Sequence, residues 1–318
     1  MIAEFPVHKD TLLLATSGWA ETVHVFEEED NYALRAALAS QRPLLVRGEP
    51  GTGKSQLARA AAQVLKRLFV AEVVHARSEC QDLLWSFDAV ARLGEAQAMA
   101  AAGKSQQELE PRRYLSPGAL WWVFNWGSAQ QQYEMCQHKM RRPQPLANWR
   151  PEHGSVLLID EIDKADVDLP NGLLETLGNG AFSVPYLDKN IGLSQDIERP
   201  LVVITTNEER ELPAAFVRRC MVLHLSLPKE QDALVQRLMS RGQSHFAQLS
   251  SAVRKKSAQL LWDDRQEALR QGISPPGQAE YLDMLRAVSQ LADTEIKQLA
   301  MLDKISDFAL KKFTGMMD

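Results

Sequence analysis

Gly48-Glu49-Pro50-Gly51-Thr52-Gly53-Lys54-Ser55 is the stretch from which the rest of the chain is read. It fits the pattern GxxxxGK[ST] and lies between an apolar run at 43–46 and a helix-like run at 56–65. Glycines let the backbone curl so that successive N–H groups point inward at phosphate oxygens. Lys54 adds a point charge for the β and γ phosphates of a nucleoside triphosphate, and Ser55 offers a hydroxyl to Mg²⁺. The helix that follows turns its positive N-terminus toward the same anion. A glycine-rich turn before a helix would share the bare pattern. The strand before it and the helix after it are the context that favours a phosphate loop.

The 318 residues are enough for a full core and a second unit, so two domains are expected. Hydrophobic content of 45% with 24% charged residues reads as an ordinary globular protein. The balance of 36 Lys+Arg against 41 Asp+Glu gives a net charge of −5, which argues against a role in coating polyanions but leaves room for a local basic channel. Cys80, Cys136 and Cys220 are far apart with no CxxC spacing, so neither a zinc site nor a disulfide framework is indicated. A reducing, cytoplasmic setting is the simplest expectation. The N-terminus does not read as a signal peptide, and no apolar run approaches the roughly 20 residues that span a bilayer.

Residues 1–26 mix apolar and polar positions without a clear period, and acids at 27–30 open a helix running to 39. The strand at 43–47 feeds the phosphate loop, and 68–75 reads as a second strand. Residues 81–102 look helical, 103–113 read as a polar loop, and 116–127 as an aromatic helix with Pro117 near its first turn. Residues 137–154 read as an irregular connection, so that about 77–154 is insertion-rich. Residues 156–159 form a continuous apolar run ending in Asp160-Glu161, as expected of a parallel strand buried on both faces. A helix at 170–177 and a possible hairpin at 181–192 follow, then a strand at 201–206 ending in Asn207. Three strands therefore deliver the phosphate loop, an acid pair and an amide toward one sheet edge, where open α/β sheets bind ligands. From 229 the sequence turns helical, at 229–243, 249–271, 277–291 and 294–313. Residues 1–228, with 1–26 as a lead-in, are thus expected to form a nucleotide-binding α/β domain, and 229–318 a small all-helical domain.

A phosphate loop alone speaks for triphosphate binding; hydrolysis needs more. Asp160 at a strand end can order Mg²⁺ through its water shell, and Glu161 is placed to orient and polarise the attacking water. Asn207 can hold the same water or a γ-phosphate oxygen, although a capping asparagine would look alike. The run Glu211-Leu212-Pro213-Ala214-Ala215-Phe216-Val217-Arg218-Arg219-Cys220 follows. Together GEPGTGKS, SVLLIDEID, LVVITTN and ELPAAFVRRC resemble an AAA+ ATPase, most closely its MoxR-like branch. DKADVDLPNGLLETL resembles that branch too, and SFDAVARL does so more loosely.

The resemblance implies an αβα sandwich with a parallel sheet and a helical lid, in a ring, usually a hexamer, with ATP at subunit boundaries. On that pattern Lys54 and Ser55 match Walker A, Asp160 and Glu161 match Walker B, and Asn207 matches sensor 1. Arg218 and Arg219 match the arginine-finger region, with Arg219 the first choice. The implied cofactors are ATP and Mg²⁺. The implied partners are other copies of the chain and a client protein, for which a von Willebrand factor A domain is the frequent choice among similar proteins. Similar proteins often place an arginine near the start of a lid helix as sensor 2, whereas 272–280 contains no base.

Trp121, Trp122, Phe124 and Trp126 leave no polar side on a helix. Such a helix is usually buried, the alternative being a protomer or partner interface. Arg112-Arg113 and the basic residues at 139–142 fit solvated loops, or a nucleic-acid path with tryptophans stacking on bases. Two further functional readings therefore stand beside partner remodelling: a nucleic-acid-directed motor or loader, and a nucleotide-gated assembly module with little turnover.

Overall fold

The computed structural model describes residues 3–16, 18–102, 109–140, 142–195 and 197–310. Part of the polar loop expected at 103–113 lies outside these residues, as do Arg141 of the basic run and the expected end of the last helix at 311–313. The chain packs as two compact units. Of the described residues, one comprises 3–5, Glu29–Val46 and Ala58–Leu223; the other comprises Pro6–Glu28, Arg47–Leu57 and 224–310.

The elements in order are β1 (Asp10–Leu13), β2 (Thr22–Val25), α1 (Glu28–Ser40), β3 (Leu44–Gly48), α2 (Lys54–Leu65), β4 (Leu68–Val73), α3 (Cys80–Leu84), β5 (Trp85–Phe87) and α4 (Ala89–Ala101). Then come β6 (Leu115–Pro117), α5 (Ala119–Phe124), α6 (Trp126–Met135), β7 (Ser155–Asp160), α7 (Asp168–Asn179), β8 (Ala181–Val184), β9 (Lys189–Gly192) and β10 (Leu201–Thr206). The chain continues through α8 (Ala214–Val217), β11 (Met221–Leu225), α9 (Gln231–His245), α10 (Ser251–Gln271), α11 (Gln278–Leu291) and α12 (Glu295–Leu310).

The first unit is organised by a five-stranded sheet of order β11-β3-β10-β7-β4. β7 pairs in parallel with β10 (Leu201 opposite Val156) and with β4 (Phe69 opposite Val156). Side chains alternate between faces along a strand. Leu157, Ile159, Val202 and Ile204 share one buried cluster with the α5–α7 residues Trp121, Phe124 and Leu173. The intervening Val156, Leu158 and Val203 are equally buried. Both faces of the sheet are therefore covered, the αβα arrangement of a P-loop fold.

Residues 81–102 do not form one helix. Trp85–Phe87 breaks the run as a strand, antiparallel to β6, because Trp85, Ser86 and Phe87 find a partner strand about thirty positions away that local helix propensity does not register. The aromatic segment also divides in two. Asn125 leaves helical geometry, and its side chain accepts from Ser128 N at 3.0 Å, capping α6. All four aromatics at 121–126 are buried, Trp121 fully so. β8 and β9 form the hairpin, and Tyr186 at its turn stacks on Phe87 with ring centroids 4.3 Å apart.

In the second unit, α9 to α12 share a core of Leu234, Leu238, Leu261, Tyr281, Leu285 and Leu302. The lead-in, without periodicity in the sequence, is a hairpin of β1 and β2. Arg241 of α9 fastens it, donating to the Val25 carbonyl at 2.6 Å and pairing with Glu27. Among the described residues no helix is long and apolar enough to cross a membrane.

Candidate active site

The phosphate loop belongs to the second unit. Gly48 adopts φ +146°, and a Cβ there would collide with the Leu225 carbonyl oxygen, so only glycine allows the chain to turn out of β3. Gly53, at φ +95°, faces open space: nothing lies within 4 Å of where a side chain would begin. Lys54 is buried and donates to the carbonyls of Gly48 at 2.7 Å and Glu49 at 2.8 Å, bending back over its own loop. Thr52 closes the turn by donating to Glu49 O at 2.9 Å. Lys54 and Ser55 begin α2, whose first turn carries no acidic residue to compete with a bound anion. An open glycine face, a lysine over the loop and a hydroxyl at a helix start fit a triphosphate, and Ser55 supplies the oxygen donor that Mg²⁺ prefers.

Glu49 also meets a base. Arg265 of α10, itself buried, pairs with Glu49 Oε2 at 2.6 Å and donates to Pro276 O at 3.0 Å. Ala279 N, at the start of α11, donates to Gly51 O at 3.1 Å. The segment 272–280, which lacks a base, thus meets the loop through its backbone, and the arginine at the loop comes from the preceding helix. Sequence reading missed Arg265 because it stands among ordinary charges on a long helix.

The first unit holds the acids and the amide. Asp160 ends β7, and Glu161 then enters the left-handed region at φ 60°, ψ 48° before a 3₁₀ turn at Ile162–Lys164. The parallel pairing of β7 with β10 puts Thr205 beside this corner. Its hydroxyl donates to Asp160 Oδ1 at 2.5 Å and accepts from Glu161 N at 2.9 Å. Asn207 Nδ2 donates to Glu161 Oε1 at 3.2 Å, while Lys164 Nζ pairs with Glu161 Oε2 at 2.5 Å. That hydrogen bond holds the Lys164 ammonium above its ordinary pKa range. Buried Asp163 accepts from Asn207 N at 3.4 Å and from Glu209 N at 2.9 Å, shaping the segment after β10. Asp160, Glu161 and Asn207 are therefore brought together. Thr205, Asp163 and Lys164 were not singled out in the sequence, although the last two stand within five residues of Asp160.

Arg218 and Arg219 follow α8, both exposed, and among the described residues neither forms an ion pair. Arg219 borders a cavity of about 500 Å³ that Arg42, Arg199, Phe124 and Leu174 also line. Three of the other basic residues singled out in the sequence have local partners. Arg142 sits over the Trp126 ring at 5.2 Å, Lys139 over the Tyr133 ring at 5.3 Å, and Arg113 bonds Gln137 and pairs with Glu95.

A parallel sheet covered on both faces, a phosphate loop after one strand, and an acid pair and an amide after two others define a P-loop nucleotide-binding protein of the AAA+ ATPase class. More narrowly, the AAA domain family (dynein-related subfamily) matches residues 43–220, more than half of the 318-residue chain, and the chain belongs to that family. No curated protein matches the sequence. Among solved structures, a candidate ATPase from Cytophaga hutchinsonii ATCC 33406 is 14% identical with a TM-score of 0.37, over 87% of this chain and 78% of that one. A single-substitution variant of RuvB from Thermotoga maritima is 15% identical with a TM-score of 0.44, over 87% of this chain and 67% of that one.

Proposed function

We propose that this chain is a MoxR-like AAA+ ATPase that couples binding and hydrolysis of ATP, in an oligomeric ring, to remodelling of a partner protein. The observation that carries the hydrolytic part is Glu161: a carboxylate on a left-handed corner, beside Asp160 through Thr205 and bonded to Asn207. In this reading the phosphate loop and Lys54 bind the triphosphate. Glu161 accepts the proton of the attacking water, and Asn207 orients that water. Ser55 and, through water, Asp160 are the residues that would hold Mg²⁺, which when bound neutralises phosphate charge. Arg219, exposed and among the described residues without an ion pair, is the residue offered to a neighbouring copy's nucleotide, with Arg218 as the alternative.

The nucleic-acid reading loses support because Arg142, Lys139 and Arg113 are engaged with aromatic and polar neighbours of the same unit. The client, a protein with a von Willebrand factor A domain on this proposal, binds the assembled ring in a cytoplasmic setting. Turnover of ATP with Mg²⁺ by the full chain tests the enzymatic core. Lys54→Ala should abolish nucleotide binding, and Glu161→Gln should bind ATP while losing hydrolysis by at least about 10²-fold, the usual weight of a positioned general base. Undiminished turnover in Glu161→Gln would sink the proposal.

A further inference from the structure

Both oxygens of the Glu161 carboxylate are in use. Oε1 accepts from Asn207 Nδ2 at 3.2 Å, and Oε2 from Lys164 Nζ at 2.5 Å. The 3₁₀ turn at Ile162–Lys164 produces the second contact by bringing residues three apart onto one side. The first contact suits a base and its water-orienting partner, whereas the second does not. A carboxylate that activates water must offer an oxygen to the water's proton, and an ammonium bonded at that oxygen competes with the water for it.

We propose that Lys164 is a positioning residue that holds Glu161 in reserve, and that release of this ion pair limits basal turnover; the inference rests on the ATPase reading above. Side-chain exposures of 40% for Lys164 and 29% for Glu161 make the pair breakable without unfolding the corner. The Glu161 backbone stays in place when the pair opens, because Thr205 and not Lys164 receives its N–H. Lys164 has other acids to turn to, since Glu209 and Asp163 also attract its charge. A neighbouring copy or client that draws Lys164 toward an acid of its own would free Glu161, making turnover depend on assembly.

The test is steady-state ATPase kinetics of the full chain carrying Lys164→Ala, Lys164→Met and Lys164→Arg, with Lys54→Ala alongside. Half-exposed ion pairs are weak, so losing this one should raise kcat by about 2- to 5-fold in the Ala and Met variants while KM for ATP stays put. Lys164→Arg keeps a cation in place and should stay near the parent rate. A merely structural role would lower kcat, or raise KM, in all three. If Lys164→Ala fails to fold, Lys164→Met, which keeps the stem, decides. A kcat at or below the parent value in the folded Ala or Met variant overturns the proposal. Turnover that survives Lys54→Ala would instead overturn the ATPase reading, so the two failures are told apart.

Discussion

A left-handed backbone at a residue with a side chain costs about 1–3 kcal/mol and persists only where its surroundings fix it. At Glu161 (φ 60°) Thr205 does the fixing, since one hydroxyl receives the Glu161 N–H and donates to Asp160. Thr205→Val keeps the shape but leaves the partly buried Glu161 N–H and an Asp160 carboxylate oxygen without this partner. Stability should fall by about 1–3 kcal/mol and kcat should drop, while Thr205→Ser restores both; thermal unfolding and turnover measured together check it. The carboxylates themselves were legible because acids after an apolar run interrupt a strong pattern. Thr205 was not, since within Leu201–Thr206 it is one more β-branched residue of a buried strand. Asp163 escaped for a related reason: its two backbone partners, Asn207 and Glu209, are more than forty residues away, and only the folded sheet joins them.

Among the elements, the β1–β2 hairpin was the least readable, because each strand is four residues long and its order depends on Arg241 of α9. That dependence has a consequence for pH. His24 of β2 lies against Phe26 with ring centroids 4.6 Å apart, and its Nε2 is buried. Burial first, then the positive Arg241 and His245, lowers its pKa from 6.5 to about 3. A histidine lowered on folding binds fewer protons in the native state. Its contribution is therefore complete above the unfolded pKa and is lost as pH falls from 6.5 toward 3. Each pH unit in that window costs about 1.4 kcal/mol, so moving from pH 6.5 to pH 5 should cost the parent about 2 kcal/mol more than His24→Phe, which keeps a ring and cannot titrate. Urea unfolding of both proteins at the two pH values reads the difference; equal losses would remove His24 from the account. Among the described residues, the helices α9 to α12 were legible within a few residues because their apolar period is local. β5 was hidden inside an expected helix, since its evidence is a partner strand at Leu115–Pro117.

At the scale of the whole molecule, the AAA+ class and the parallel sheet were foreseen from four short motifs, because phosphate loop, acids and amide must each follow a strand in a set order. Assembly is the part a single chain leaves to experiment, and exposed Arg219 is where it can be tested. If Arg219 acts on a neighbour's nucleotide, Arg219→Ala should still bind ATP and yet lose turnover on the order of 10³-fold, the lower end for arginines supplied in trans in GTPases. Lys54→Ala should be equally silent for the opposite reason, lacking a loop that binds but keeping the arginine. Each variant then owns what the other lacks. In a ring built by head-to-tail contacts, random mixing puts an intact loop beside an intact arginine in about one pairing in four, so equal amounts of the two silent proteins should recover about a quarter of the parent rate. Recovery that rises with total protein concentration would place the loop and the arginine of one working site on different copies. A mixture as silent as its components would mean that Arg219 serves its own chain or none.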